Sequence, residues 1–432
     1  MAFRIDPRWP NAARGPVQDV ADITLSASGR VFSRLFDGHE GRVRDHVRAS
    51  TINLAFWFAD RWWRLRWEPI GDPRFVSPEW RLRHELSSAS GDTLLPPFMI
   101  YGSGPRVMVA PIIGSGVAWG PIRYLEDRPV TVSAQDFETG VDDFFQTVLR
   151  VCGNHPDANA LDHLVGQLAR ERDDDELAGW RRLEACLGYD PDQAPEAVIN
   201  ALVDFEARIG ETAIDEAAVA APGEQAVETL QSVVAATEAS DLVVDFSTID
   251  GLIDPQDLSG RAPWQAAEDA ATHLRTVLNL GATVSWQDLG DMLRTQWTAL
   301  KTATATARGL PYAAMAEEDA LGRLAVAMGP PVHRRFELAR MIGDRIWTGE
   351  QNSFGVVSRA RTDRQKFQRA FAQALLCPLE ALREVVDVNQ PTIEDIDRAA
   401  RRFLIDRSAV IAVLRNHGYL PHETVADLLE AA

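Results

Sequence analysis

Apolar positions recur at two periods along this chain, and the change between them divides it. From Asp19 to about Cys152, strand-like runs at 23–28, 106–113, 122–125 and 130–132 are separated by Gly/Pro turns. Trp63, Leu65 and Trp67 alternate with Arg64 and Arg66, the period-two pattern of a half-buried strand. On that pattern the three apolar residues enter a core and the arginines face solvent or a partner. Ser50 is placed to cap a short helix over 51–60. A second helix spans 134–151, with Phe137, Val141, Phe144, Phe145, Val148 and Leu149 on one stripe. Residues 1–16 carry Pro7, Pro10 and Pro16 and few apolar side chains, which predicts an irregular start.

The period then becomes helical. Helices are expected over 161–172, 176–187, 195–209 and 224–236, with turns at Asp190-Pro191-Asp192 and Ala221-Pro222-Gly223. Such short helices fit a small bundle that connects or docks. After Pro263 a helix carries Ala267, Ala271, Leu274 and Leu278, and Ser285 reads as the cap of another over 286–297. Residues 302–320, rich in Ala and Thr, read as a loop; 321–328 alternates like a strand and ends at Gly329-Pro330-Pro331. A long helix starts near His333 or Arg334. Three more helices follow Pro378, over 379–386, 392–403 and 407–416, with Thr392 and Asp395 in near capping-box spacing. The expected fold class is α+β, mainly helical. A β-rich N-terminal domain (1–152) precedes an acidic helical connector (153–261) and a C-terminal domain (262–432) that ends in a helix pair.

Composition narrows the chemistry. Net charge is -19, which opposes non-specific nucleic-acid binding by the whole molecule. No Lys or Arg lies between Arg208 and Arg261, whereas arginines are frequent from Arg334 to Arg415. A solvated helical face is the commoner meaning of such an acidic run. Cys152, Cys186 and Cys377 are widely spaced and form no Cys-x-x-Cys pair, as expected of a reducing cytoplasm and no structural zinc. No run reaches the ~20 apolar residues of a membrane span, and the opening Met-Ala-Phe-Arg-Ile-Asp-Pro lacks a signal-peptide core. Trp9, Trp57, Trp62, Trp63, Trp67, Trp80 and Trp119 fall in the first domain among arginines. Core filling is favoured over a stacking surface for nucleic acid or ligand. His84-Glu85 begins like a zinc helix, but Ser88 stands where the second histidine would be.

Two stretches carry the functional signal. The first runs from His333 to Trp347 (His-Arg-Arg-Phe-Glu-Leu-Ala-Arg-Met-Ile-Gly-Asp-Arg-Ile-Trp). The second includes Gln365-Lys-Phe-Gln-Arg-Ala-Phe-Ala-Gln-Ala-Leu-Leu-Cys-Pro378. Together they resemble the core of the ImmA/IrrE family of zincin-like metallo-endopeptidases. Arg334, Arg335, Phe336, Leu338, Ala339 and Gly343 match the lead-in and the His-Glu-x-x-His helix frame. Phe371, Ala372, Leu375, Leu376 and Pro378 match the later helix. The resemblance implies a zincin-like C-terminal domain and a role in bacterial regulation, stress response or phage defence. It also places Arg340, Met341, Asp344 and Gln365 where the family has His, Glu, His and the third ligand, Glu.

None of those four restores the lost chemistry. A guanidinium has no lone pair for zinc, and Met341 cannot act as a general base. Asp344 alone makes no site, and Gln365 offers a neutral carbonyl. The expectation is therefore a pseudopeptidase with no catalytic residue and no cofactor that binds a protein partner in the old cleft. Arg340, Asp344 and Gln365 should cluster around the vacated position, Arg340 held by the Asp carboxylate and the Gln carbonyl. Two alternatives stay open. The chain could be a metallo-endopeptidase with a relocated zinc site using His333, Asp363, Asp344 or Glu337. Or the terminal helix pair, similar to a helix-turn-helix, could contact DNA through Arg407 and Arg415.

Overall fold

The computed structural model describes residues 2–10, 19–71, 76–89, 94–112, 121–221, 223–258, 261–302, 310–318, 321–326, 329–349 and 354–421. Helix predominates, and the described strands form small antiparallel sheets, an α+β arrangement. The chain divides into two compact units, one over residues 1–194 and one over 195–423.

In the first unit the order is β1 (Phe3–Arg8), β2 (Val20–Ala27), β3 (Arg30–Val31), β4 (Leu35–Asp37), β5 (Arg42–Arg44), β6 (Val47–Ser50), α1 (Thr51–Trp67) and α2 (Pro78–His84). Then come β7 (Phe98–Gly102), β8 (Arg106–Pro111), β9 (Ile122–Tyr124), β10 (Val130–Ser133), α3 (Ala134–Val151), α4 (Ala158–Asp173) and α5 (Asp175–Cys186). Three sheets result: β1-β2-β3 with β6 also on β2, β10-β8-β7, and β5-β4-β9. The expected irregular start is corrected, because residues 3–8 form a strand. Pro7, opposite Ile23, fits because β1 is a sheet edge, where a missing N–H breaks no ladder.

The strand expected at Trp63–Trp67 is also corrected. The helix capped by Ser50, whose side chain accepts from the Asn53 N–H at 3.1 Å, runs on to Trp67. Trp57, Trp62 and Trp63 pack among Phe3, Phe58, Phe137 and Phe144. A helix buried on nearly every side shows no single stripe, so its alternation carried no periodic information. Arg64 and Arg66, expected at the surface, are 4% and 7% exposed. Their charges are met: Arg64 pairs with Glu68 at 2.5 Å and Asp190 at 3.4 Å, and Arg66 with Glu138 at 2.7 Å. The tryptophans named here thus fill a core, with Trp80 in a smaller cluster beside Tyr101 and Met108. Trp119 lies outside the described residues.

The second unit contains α6 (Glu196–Ile209), α7 (Glu211–Ala220), α8 (Gln225–Glu238), β11 (Val243–Asp245), α9 (Pro263–Val277), α10 (Trp286–Met292), α11 (Trp297–Thr302), β12 (Ala313–Glu318) and β13 (Leu321–Ala325). It continues with α12 (Pro331–Thr348), β14 (Phe354–Val357), α13 (Asp363–Leu376), α14 (Leu379–Arg383), α15 (Ile393–Phe403) and α16 (Arg407–Asn416). One antiparallel sheet runs β11-β13-β12-β14. Strand alternation sends Ala313 and Met315 into a core shared with Ala271 and Leu274 of α9, Leu338 and Ile342 of α12, and Phe367 and Phe371 of α13. The α12–α13 contact depends on Gly343, where a Cβ would lie 2.9 Å from the Phe371 ring.

Several expectations change here. No separate connector spans 153–261: α4 and α5 pack on α1, whereas α7 and α8 pack on β14, β12 and β13. That stretch is also not helical throughout, since it contributes β11 to the sheet. The helix capped by Ser285 stops at Met292, before Arg294 takes a left-handed conformation, and α11 starts afresh. Part of the expected 302–320 loop is β12, whose small alanines sit in a closely packed sheet centre. No helix among the described residues is long and apolar enough to cross a membrane.

Candidate functional site

Two helix starts and one strand position the site. Pro331 opens α12, and Thr362 caps α13 by accepting the Gln365 N–H at 3.3 Å. Between the helices lies β14, whose end supplies the Val356 carbonyl and leads into Ser358. On α12, Arg340 and Asp344 are one turn apart; on α13, Gln365 and Gln368 are three residues apart on one face.

The structure brings Arg340, Asp344 and Gln365 into one buried network, with a partnership the sequence did not indicate. Arg340 Nη2 lies 2.6 Å from Gln365 Oε1, 2.7 Å from the Ser358 carbonyl and 3.2 Å from Gln368 Oε1. Asp344 accepts instead from Arg364, at 2.6 Å to Oδ1 and 2.7 Å to Oδ2. Gln368 joins the halves, because its amide donates to Asp344 Oδ1 at 2.6 Å while its carbonyl faces Arg340. Gln365 also accepts the Ser358 N–H at 3.0 Å and donates to the Val356 carbonyl at 2.7 Å. The expected Arg340–Asp344 contact is thus corrected. Arg364 offers the carboxylate a two-pronged fit, which leaves Arg340 to the neutral acceptors.

Burial pushes the Arg340 guanidinium down to about 10, partly offset by Glu337, Asp344 and Glu216, so it stays charged at neutral pH. Burial also opposes the charge on Arg364, but Asp344, with Glu216 and Glu317, outweighs it and holds the guanidinium above its ordinary value. A further acid enters from α7: Glu216 accepts a hydrogen bond from the Thr362 hydroxyl, and burial raises its carboxyl above the usual range. The Asp344 oxygens are occupied by Arg364 and Gln368. Met341 is 1% exposed and belongs to the apolar core.

The remaining candidates lie apart from this arrangement. His333 Nε2 is 3.6 Å from Asp406, on a side chain that is half exposed. Asp363 is buried in the first turn of α13. Among the described residues, no group of three or more His, Cys, Asp or Glu side chains gathers as a metal site, so His333, Asp363, Asp344 and Glu337 are not brought into one. Arg407 is exposed but turned onto Asp397, 2.6 Å away, and Arg415 sits in the last turn of α16. His84 is buried between Glu68 at 2.8 Å and the Ile100 carbonyl at 2.7 Å. Sequence reasoning missed Arg364, Gln368 and Glu216. The three-residue spacing from Gln365 was a usable signal for Gln368; nothing in the Ala-rich α7 pointed to Glu216.

No family model, no characterised protein and no solved structure matches the chain.

Proposed function

We propose that the second unit is a non-catalytic relative of the ImmA/IrrE zincin-like metallo-endopeptidases, and that the protein works in bacterial regulation or defence by binding a protein partner. One observation supports the reading. The positions at which that family holds its ligands, 340, 344 and 365, converge between α12 and α13, and each is occupied by a side chain bonded within one buried network. A guanidinium replaces the positive charge of a metal and fixes the helices, which preserves a scaffold while removing its reaction. The partner then binds in the old cleft of this scaffold, and no bond is cleaved.

Restoring the ligands tests the reading. A variant carrying Arg340→His, Met341→Glu, Asp344→His and Gln365→Glu should bind one zinc per chain by elemental analysis, whereas the parent protein should bind none. A folded variant that takes up no zinc would overturn the family reading. Stoichiometric zinc in the parent would overturn the non-catalytic reading in favour of a relocated site.

A further inference from the structure

Beside the refilled site lies a second ionic group with a different balance. Arg345 is 2% exposed, and its Nε and Nη2 donate to Asp250 at 2.8 and 3.0 Å. Its Nη1 donates to Glu317 Oε2 on β12. One guanidinium thus ties three separate pieces of chain together: α12, β12 and the segment containing Asp250. Arg345 and Asp250 also line a cleft of about 530 Å³, together with Ile249, Ile253, Asp254 and Ile346. The Glu317 side chain is 2% exposed, and its second oxygen accepts no hydrogen bond among the described residues.

We propose that Asp250, Arg345 and Glu317 form a proton-sensitive clamp, which holds the 249–256 segment to β12 while Glu317 is neutral and releases it when Glu317 ionises. Two carboxylates compete for one cation. Asp250 takes two of the guanidinium's N–H groups and Glu317 one, so Glu317 is the less compensated when charged. From α12 come Arg345 and Asp344, from α13 comes Arg364, and Asp250 acts through Arg345. Opposite on β13 stands Gly322, which bears no charge.

Burial raises the Glu317 carboxyl to about 7; Arg345 opposes this, Asp344 adds to it, and Arg364 opposes it more weakly. The sign follows from linkage. The clamped state binds the Glu317 proton more tightly than an open, solvated state with an ordinary value near 4.5. Acid therefore favours the clamp, and the advantage is lost as pH rises through about 7. From pH 6 to 8 the open fraction should rise about tenfold.

Hydrogen exchange on the full chain reads this directly. After correction for intrinsic rates, amides of 246–258 and 313–318 should lose about tenfold in protection between pH 6 and 8. Amides of the first unit serve as the reference. Glu317→Gln, permanently neutral, should keep protection at both pH values. Asp250→Asn, which leaves Arg345 to Glu317, should move the step to lower pH and decides the matter if the glutamine variant does not fold. Equal protection at both pH values in the parent, a step surviving in Glu317→Gln, or an unmoved step in Asp250→Asn would overturn the proposal.

Discussion

Glu68 in the first unit and Glu317 in the second are both buried carboxylates against a buried arginine, yet their protons are held in opposite ways. Burial would raise Glu68, but His84 and Arg64 together hold it below its ordinary value. Burial raises Glu317 and wins. The difference lies in how the cation is shared. Arg64 gives Glu68 two N–H groups, at 2.5 and 3.0 Å, and His84 adds a contact at 2.8 Å. Arg345 divides itself between Glu317 and Asp250. The number of donors committed to a carboxylate, more than its depth, decides whether it keeps its charge. As a result the two carboxylates answer acid with opposite sign. Glu68 contributes stability that is present above its unfolded value and lost as pH falls through its folded one; Glu317 has the reverse sign.

The largest expected effect comes from the most completely committed acid. Among the described residues, Asp344 is the carboxylate that meets Arg364 at hydrogen-bond distance, and both side chains are almost fully buried. Asp344→Ala should cost about 3–5 kcal/mol in a urea titration, because the guanidinium loses its paired charge without gaining water. Replacing the pair together, Asp344→Leu with Arg364→Met, should cost far less than the single change. If the double variant were the less stable of the two, the network would be contributing more than charge compensation.

In the first unit the same operation should do less. Glu68→Ala leaves Arg64 with Asp190 at 3.4 Å and His84 with the Ile100 carbonyl, so the partners are weakened and not stranded. A loss of about 1.5–3 kcal/mol is expected, the range for hydrogen bonds to charged groups. A loss as large as that for Asp344→Ala would erase the distinction drawn between the two regions.

The two clusters also differ in how far sequence reveals them. Arg64 and Glu68 are four apart on one helix, a spacing that announces a pair once the helix is recognised. It was hidden by the Trp-Arg-Leu-Arg-Trp alternation, which mimics a strand when a helix is buried all round. That 340 and 344 share a face was legible from helix geometry, whereas 365 joined them only through the family resemblance. Their partners were not, since Arg364 bonds a residue twenty positions away and Glu216 arrives from α7. Elements fared likewise. The Ala134–Val151 helix carries a stripe that makes it legible, whereas β12 and β14 owe their existence to neighbours in the sheet.

The smallest expected effect belongs to an exposed pair at the end of the second unit. Arg407 begins α16 and reaches back to Asp397 on α15, with its side chain 63% exposed. Solvent screens such a pair and holding two long side chains together costs entropy, so Arg407→Ala should change stability by less than about 1 kcal/mol. The same contact bears on DNA. A phosphate would have to compete with Asp397 for the guanidinium, and a chain of net charge -19 repels a polyanion at longer range. Gel-shift titrations at physiological salt should therefore show no tight, sequence-specific complex. If one did form, weakened steeply with added salt and vanished on Arg407→Glu, the helix pair would be a recognition element. The buried networks would then be scaffolding for it and would leave the protein's partner to be sought among nucleic acids.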